Sequence, residues 1–226
     1  MTQPIRVGIV GAGFAARFHF HNLRRVHTVP LEIVGVTSRS PQSREAFARE
    51  TSVKAFDTFE TLCDAVDVID LCSPPSTHEQ LAVDALQRGK HIIVEKPFTG
   101  SFGEGVSDFR GISSPKEPML HQAVESCRRI SAAAQASGRT ICYAENWIYA
   151  PAIQKECEIV TKSRAQILWM MGNQSHSGSH SRYYGFGAIP AADRWSAKVA
   201  TRSAQPCFSS ARKGLPATVN RFVPRP

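Results

Sequence analysis

Apolar residues fall along this chain in short runs that alternate with stretches of helical spacing. Residues 5–10, I-R-V-G-I-V, are short, apolar and β-branched, and predict a buried strand. After Gly11-Ala12-Gly13 the spacing turns helical to about residue 26. Residues 31–36 predict a second strand, 43–50 a helix and 53–55 a short strand. V-D-V-I-D-L-C at 66–72 predicts a strand stopped by Pro74-Pro75. Residues 77–88 space Leu81, Ala85 and Leu86 along one side of a helix, and Gly89 stands where a helix terminates. A strand follows at 91–94. Strands alternating with helices predict β-α-β units, hence an α/β fold with a Rossmann-like, doubly wound parallel sheet.

The later pattern is looser. Residues 99–119 are rich in Gly, Ser and Pro and predict a long loop. Helices are expected at 122–137, closed by Gly138, and at 151–161, with strands at 140–144 and 166–171. The periodicity ends after Tyr184. This divides the chain into a dinucleotide-binding domain at 1–147, a fragment of an incomplete α+β domain at 148–184 and a disordered tail at 185–226.

Composition adds few constraints. With 42% apolar and 20% charged residues in a chain of 226, a single large core is affordable and disorder throughout is excluded. No apolar run reaches the roughly 18 residues of a membrane span, and the N-terminus shows no secretory signal. The six cysteines form no C-x-x-C pair. Together these suggest a cytoplasmic protein without a disulfide framework. The net charge of +8 invites a nucleic-acid reading, but residues 1–184 are nearly neutral. The excess sits in 185–226, where seven Lys+Arg face the single acid Asp193. A nucleic-acid or membrane partner is therefore not expected.

Four segments carry chemistry. In G-A-G-F-A-A, Gly11 and Gly13 with Ala16 form a G-x-G-x-x-A turn between a strand and a helix. That turn brings backbone N–H groups to a pyrophosphate and lets helix and sheet pack closely, so Gly11, Ala12, Gly13, Phe14 and Ala15 are candidate cofactor contacts. At the end of the second strand an acid would bind the ribose hydroxyls of NAD. Ser38 and Arg39 stand there instead, which suits the 2′-phosphate of NADP, although Arg39 is also compatible with a solvated surface position. C-S-P-P-S-T-H follows a strand, and Ser73, Pro74 and Pro75 are expected beside the nicotinamide ribose. His78 has two readings, packing at a helix start or binding. V-E-K-P-F places Glu95 and Lys96 at a strand's carboxyl end, where burial would make the ammonium a proton donor to a substrate oxygen.

In their order and spacing these segments resemble the Gfo/Idh/MocA family of NAD(P)-dependent sugar and polyol dehydrogenases, over residues 4–184. Y-A-E-N-W-I-Y-A-P-A-I-Q-K at 143–155 and I-L-W-M-M-G-N-Q-S-H-S-G-S-H-S at 167–181 resemble one branch of it. The resemblance implies hydride transfer between nicotinamide and a sugar-like hydroxy compound, with NADP or NAD as cofactor. It places Lys96 near the nicotinamide and the substrate hydroxyl, adds Asn146 to the cofactor residues, and implies a homo-oligomer. His176 and His180 are four apart but lack a helix or an accompanying acid or thiol, so no metal site is expected.

That branch continues, after S-H-S-x-Y-Y-G, with a segment like W-R-x-x-G-G-G-S-L-V-R-K-G-C-H-P-L-G-A. Back-translating residues 186–205 and joining each codon's third base to the next codon's first two is compatible with that segment throughout. A frameshift near codon 185 is the expectation, with a genuinely divergent tail as the other reading. A truncated chain of this kind could bind cofactor yet lack turnover, because the family's downstream histidine and most of its substrate sheet would be missing.

Overall fold

The computed structural model describes residues 3–103, 109–169, 171–174 and 197–200. Six parallel strands form its main sheet: β1 (Ile5–Val10), β2 (Leu31–Thr37), β3 (Lys54–Ala55), β4 (Val68–Leu71), β5 (His91–Val94) and β6 (Ile141–Tyr143), in the spatial order β3-β2-β1-β4-β5-β6. The helices are α1 (Phe14–Leu23), α2 (Pro41–Thr51), α3 (Phe59–Ala65), α4 (His78–Gln87), α5 (Lys116–Ser137) and α6 (Pro151–Ser163). This is a Rossmann-like, doubly wound sheet, as the alternation of elements predicts. Its direction of winding reverses between β1 and β4, and ligands of such sheets bind at the carboxyl ends there.

Side-chain alternation along each strand explains why both faces are covered. Ile9 joins Ala16, Phe20, Val36, Phe47 and Ala48 beneath α1 and α2. Its neighbour Val10 points the other way, into a cluster with Leu62, Ile69, Leu71, Leu86, Ile92 and Ile130 from α3, α4, α5 and the sheet. Each fully buried Ile or Leu contributes about 1.5–3 kcal/mol of transfer free energy, so the two clusters are the main source of stability. Ends are capped locally. Ser40 and Thr58 accept bonds from Ser43 N–H and Thr61 N–H at the starts of α2 and α3. After α4, Gly89 at φ 73° lets Gly89 N–H reach Leu86 O and Lys90 N–H reach Ala85 O, both at 2.9 Å.

Three elements depart from expectation. Helix α3 has no counterpart in the periodicity, because its seven residues give too few turns to show a stripe. Helix α5 begins at Lys116, inside the expected loop, since Pro118 falls in the first turn, where a missing N–H costs nothing. The strand expected at 166–171 is irregular through residue 169, with Leu168 and Trp169 exposed. A strand lies just beyond it, β7 (Met171–Gln174), antiparallel to β8 (Ala197–Ala200). Apart from β8, residues 185–226 lie outside the described residues, as do His176 and His180. The chain separates into two compact units, the first ending at Asn146 and the second beginning at Trp147. Among the described residues no helix is long and apolar enough to cross a membrane, and Cys63, Cys72, Cys127, Cys142 and Cys157 are free thiols.

Candidate functional site

The turn from β1 into α1 sits at the winding reversal. Gly11 has φ 110°, and a Cβ there would lie 2.6 Å from the carbonyl oxygen of Cys72. Only glycine satisfies both conditions. Gly11 N–H donates to Thr37 O at 2.8 Å, which fixes the turn to β2. Gly13 differs: it is extended, and a Cβ on it would meet nothing within 4 Å. That side of the turn is open. The N–H groups of Ala12, Gly13, Phe14, Ala15 and Ala16 have no acceptor among the described residues, and no acid occupies the first turn of α1. An anion is the matching ligand. Ala16 is fully buried against the sheet.

Arg17 braces this turn from behind. Its Nη1 donates to Ala12 O at 2.8 Å and Gly13 O at 3.3 Å, while Nε donates to Glu50 Oε2 at 2.9 Å. Holding the carbonyls on one side leaves the N–H groups on the other. The Arg17 hydrogen bond also outweighs slight burial and holds the Glu50 carboxyl below its ordinary range.

At the end of β2, Ser38 Oγ donates to Ser40 O at 3.0 Å. Arg39 is exposed, and no ion pair engages it among the described residues. After β4, Ser73 Oγ lies 2.7 Å from Thr77 Oγ1, and Pro75 opens a short 3-10 turn. His78 is fully buried, with Nδ1 3.0 Å from Pro97 O and Nε2 3.0 Å from Ser73 O. Both ring nitrogens face backbone carbonyls of the protein itself, the arrangement that the packing reading of His78 expects. The ring ties the S-P-P turn to the E-K-P turn. Lys96 is exposed rather than buried, because it lies past the end of β5, where no described element covers it; this corrects the expected burial. The Lys96–Pro97 peptide is cis. Asn146 is exposed beyond the end of β6, at the same edge of the sheet.

Sequence reasoning missed a buried network beneath these turns. Asp70 of β4 is fully buried, and its two oxygens lie 3.0 and 2.9 Å from His19 Nδ1. His19 Nε2 lies 3.0 Å from Glu95 Oε1, and Glu95 Oε2 accepts from Lys96 N–H at 2.8 Å. A neutral imidazole donates from one nitrogen only, so two carboxylate partners require the doubly protonated ring. Burial opposes that charge, but hydrogen bonds with Asp70, Cys72 and Glu95 outweigh it and raise the His19 pKa to about 12. Glu95 is lowered: burial pushes its pKa up, and His19 and the Lys96 N–H more than reverse it. Cys72 donates to Asp70 Oδ1 at 3.6 Å, its thiol pushed up to about 12 by burial and the Asp70 charge. Ligand atoms of His19, Asp70 and Cys72 lie within 4.8 Å of one another. The 2.9 and 3.0 Å separations between His19 and Asp70 are hydrogen-bond contacts and fit a proton network. The available signal was Asp70 itself, an acid inside an apolar strand, which needs a partner when buried.

Strand order, winding reversal and glycine turn together define a Rossmann-like nucleotide-binding domain. Residues 5–107 match the family model described as an oxidoreductase family with an NAD-binding Rossmann fold, Gfo/Idh/MocA. The chain is 34% identical over 99 residues to glucose-6-phosphate 3-dehydrogenase of Bacillus subtilis, covering 44% of this chain and 28% of the relative. It is 32% identical over 95 residues to UDP-N-acetylglucosamine 3-dehydrogenase of Acidithiobacillus ferrooxidans, covering 42% and 29%. Among solved structures, an oxidoreductase of Thermotoga maritima superposes with a TM-score of 0.57 at 31% identity, covering 72% of this chain and 44% of that one. The chain thus spans less than half the length of these relatives.

Proposed function

We propose that this chain binds a nicotinamide dinucleotide and serves an oxidoreductase acting on a sugar-like hydroxy compound. The observation that carries the reading is the Gly11–Ala15 turn, with its open side at Gly13 and its unpartnered N–H groups at the winding reversal. The bound dinucleotide supplies hydride exchange at its nicotinamide ring. The residues do the rest. N–H groups of residues 12–15 bind the pyrophosphate, and Arg17 keeps their carbonyls turned away. Ser38 and Arg39 hold the adenosine ribose; an unengaged guanidinium and no carboxylate favour NADP over NAD. Ser73, Pro74 and Pro75 form a wall beside the nicotinamide ribose, with Asn146 at the same edge. Lys96, exposed at the end of the turn set by Glu95, donates a proton or hydrogen bond to the substrate oxygen. The sugar class follows from the relatives, two of which are named for sugar phosphate and nucleotide-sugar substrates.

The test is direct titration of the full chain with NADPH and NADH, followed by nicotinamide fluorescence. Saturable binding, tighter for NADPH, is expected. Turnover is then sought with sugars, sugar phosphates and nucleotide sugars by the absorbance of reduced nicotinamide. Binding of neither dinucleotide refutes the reading; binding without turnover on any of them leaves a cofactor-binding domain alone.

A further inference from the structure

The Asp70–His19–Glu95 network has no assigned role, and its last member bonds to the backbone of Lys96. We propose that His19 is a positioning residue, an imidazolium strut on α1 that fixes the Glu95–Lys96 turn against β4. The inference rests on the proposed role of Lys96.

The argument is geometric. Three separate elements meet at one ring: α1 supplies His19, β4 supplies Asp70 and Cys72, and the turn after β5 supplies Glu95. Every polar atom has a partner. Asp70 accepts from His19 and Cys72, His19 spends both N–H groups, and Glu95 uses one oxygen on the ring and the other on Lys96 N–H. A fully buried carboxylate is retained in a core only at a cost, and here its partner leads in one step to the exposed lysine. Without the ring, Glu95 would lose one anchor and its side chain would regain rotamers, releasing the Lys96 amide. The charged groups facing His19 are Asp70 and Glu95, with the Cys72 thiol beside them; Lys96 faces Glu95 from the far side. The same α1 begins at the glycine turn, so the strut links the dinucleotide end of the site to its proposed proton-donor end.

Amide hydrogen exchange of the full chain reads the strut directly. In H19Q the Lys96 amide should exchange at least about tenfold faster, the weight of one hydrogen bond to a charged group, while Ile69 and Ile92 in the sheet change far less. D70N, an isosteric change that should survive folding if H19Q does not, should accelerate Lys96 in the same way. In the wild type, nitrogen chemical shifts of His19 should be those of a doubly protonated ring at neutral pH. Unchanged Lys96 exchange in both variants, or a neutral His19 ring, overturns the proposal. Equal acceleration of every sheet amide also overturns it, because His19 would then be an ordinary structural residue. Failure of the wild type to bind NADPH or NADH would sink the proposed function instead, and the Lys96 amide would still decide the strut.

Discussion

Two glycines two residues apart, Gly11 and Gly13, should respond to substitution in opposite ways. Gly11→Ala meets two penalties. A φ of 110° is foreign to an L side chain, at about 1–3 kcal/mol. The new Cβ would also sit 2.6 Å from Cys72 O and 2.8 Å from Cys72 C. These are backbone atoms of the turn after β4, so relief requires moving that turn, at a further 1–3 kcal/mol or so. The sum is about 2–6 kcal/mol, and at roughly 2–4 °C per kcal/mol for a chain of this size the melting temperature should fall by about 5 °C or more. Gly13→Val meets neither penalty. Its φ of −91° and ψ of −161° are extended backbone, and no heavy atom lies within 4 Å. Stability should stay within about 1 kcal/mol of wild type, since removing a glycine also restricts the unfolded chain. Yet the branched side chain fills the proposed phosphate space. Loss of two charge-assisted bonds at about 1.5–3 kcal/mol each should weaken NADPH at least 100-fold. Thermal melts by far-UV circular dichroism and fluorescence titration measure both axes. If Gly13→Val melts as early as Gly11→Ala, or binds NADPH like the wild type, the assigned cradle is wrong.

Other outcomes follow from the same geometry. Arg39→Ala should weaken NADPH by about tenfold or more and leave NADH nearly unchanged, because only the 2′-phosphate loses a charge-assisted contact; equal losses for both refute the phosphate role. Gly89→Ala should cost about 1–2 kcal/mol in denaturant melts, from its φ of 73° alone, since its nearest neighbour is the movable end of Arg139 at 3.7 Å. His19 sets a pH dependence: its pKa is raised from 6.5 to about 12 on folding, so its contribution is complete below about pH 6.5 and declines as pH rises toward 12. Unfolding free energy should therefore drop on the alkaline side more steeply in wild type than in H19Q, by up to about 1.4 kcal/mol per pH unit. Parallel curves would contradict the imidazolium. Ile69→Ala, at a fully buried position, should cost about 2–5 kcal/mol in denaturant melts.

What the sequence discloses and what it hides divide along a physical line. The strand–glycine–helix unit was legible because its constraints are local: an apolar run, two glycines and an alanine within one turn. The parallel sheet was legible because its strands are largely buried on both faces and show as short, mostly apolar runs. Helix α3 was not, although Thr58 is a good cap, because seven residues make less than two full turns of pattern. His78 kept two readings, packing at a helix start or binding; only the fold shows a carbonyl oxygen 3.0 Å from each of its ring nitrogens. The His19 network was hidden because its three members come from positions 19, 70 and 95, joined by no spacing rule.

The placement of β1 has a consequence for how the chain acquires its site during synthesis. The strand is first in sequence but central in space, and it needs β2 on one side and β4 on the other. Cys72 N–H reaches back to Val10 O, and the Cys72 carbonyl is the wall against which Gly11 turns. A nascent chain that has emerged only as far as α2 therefore carries the complete glycine motif and no formed cradle. Closing a loop of that length before any reward is slow compared with helix formation. The dinucleotide turn thus leaves the ribosome before β4 and takes shape only after it, so its apolar strand spends the interval unpaired and within reach of chaperones.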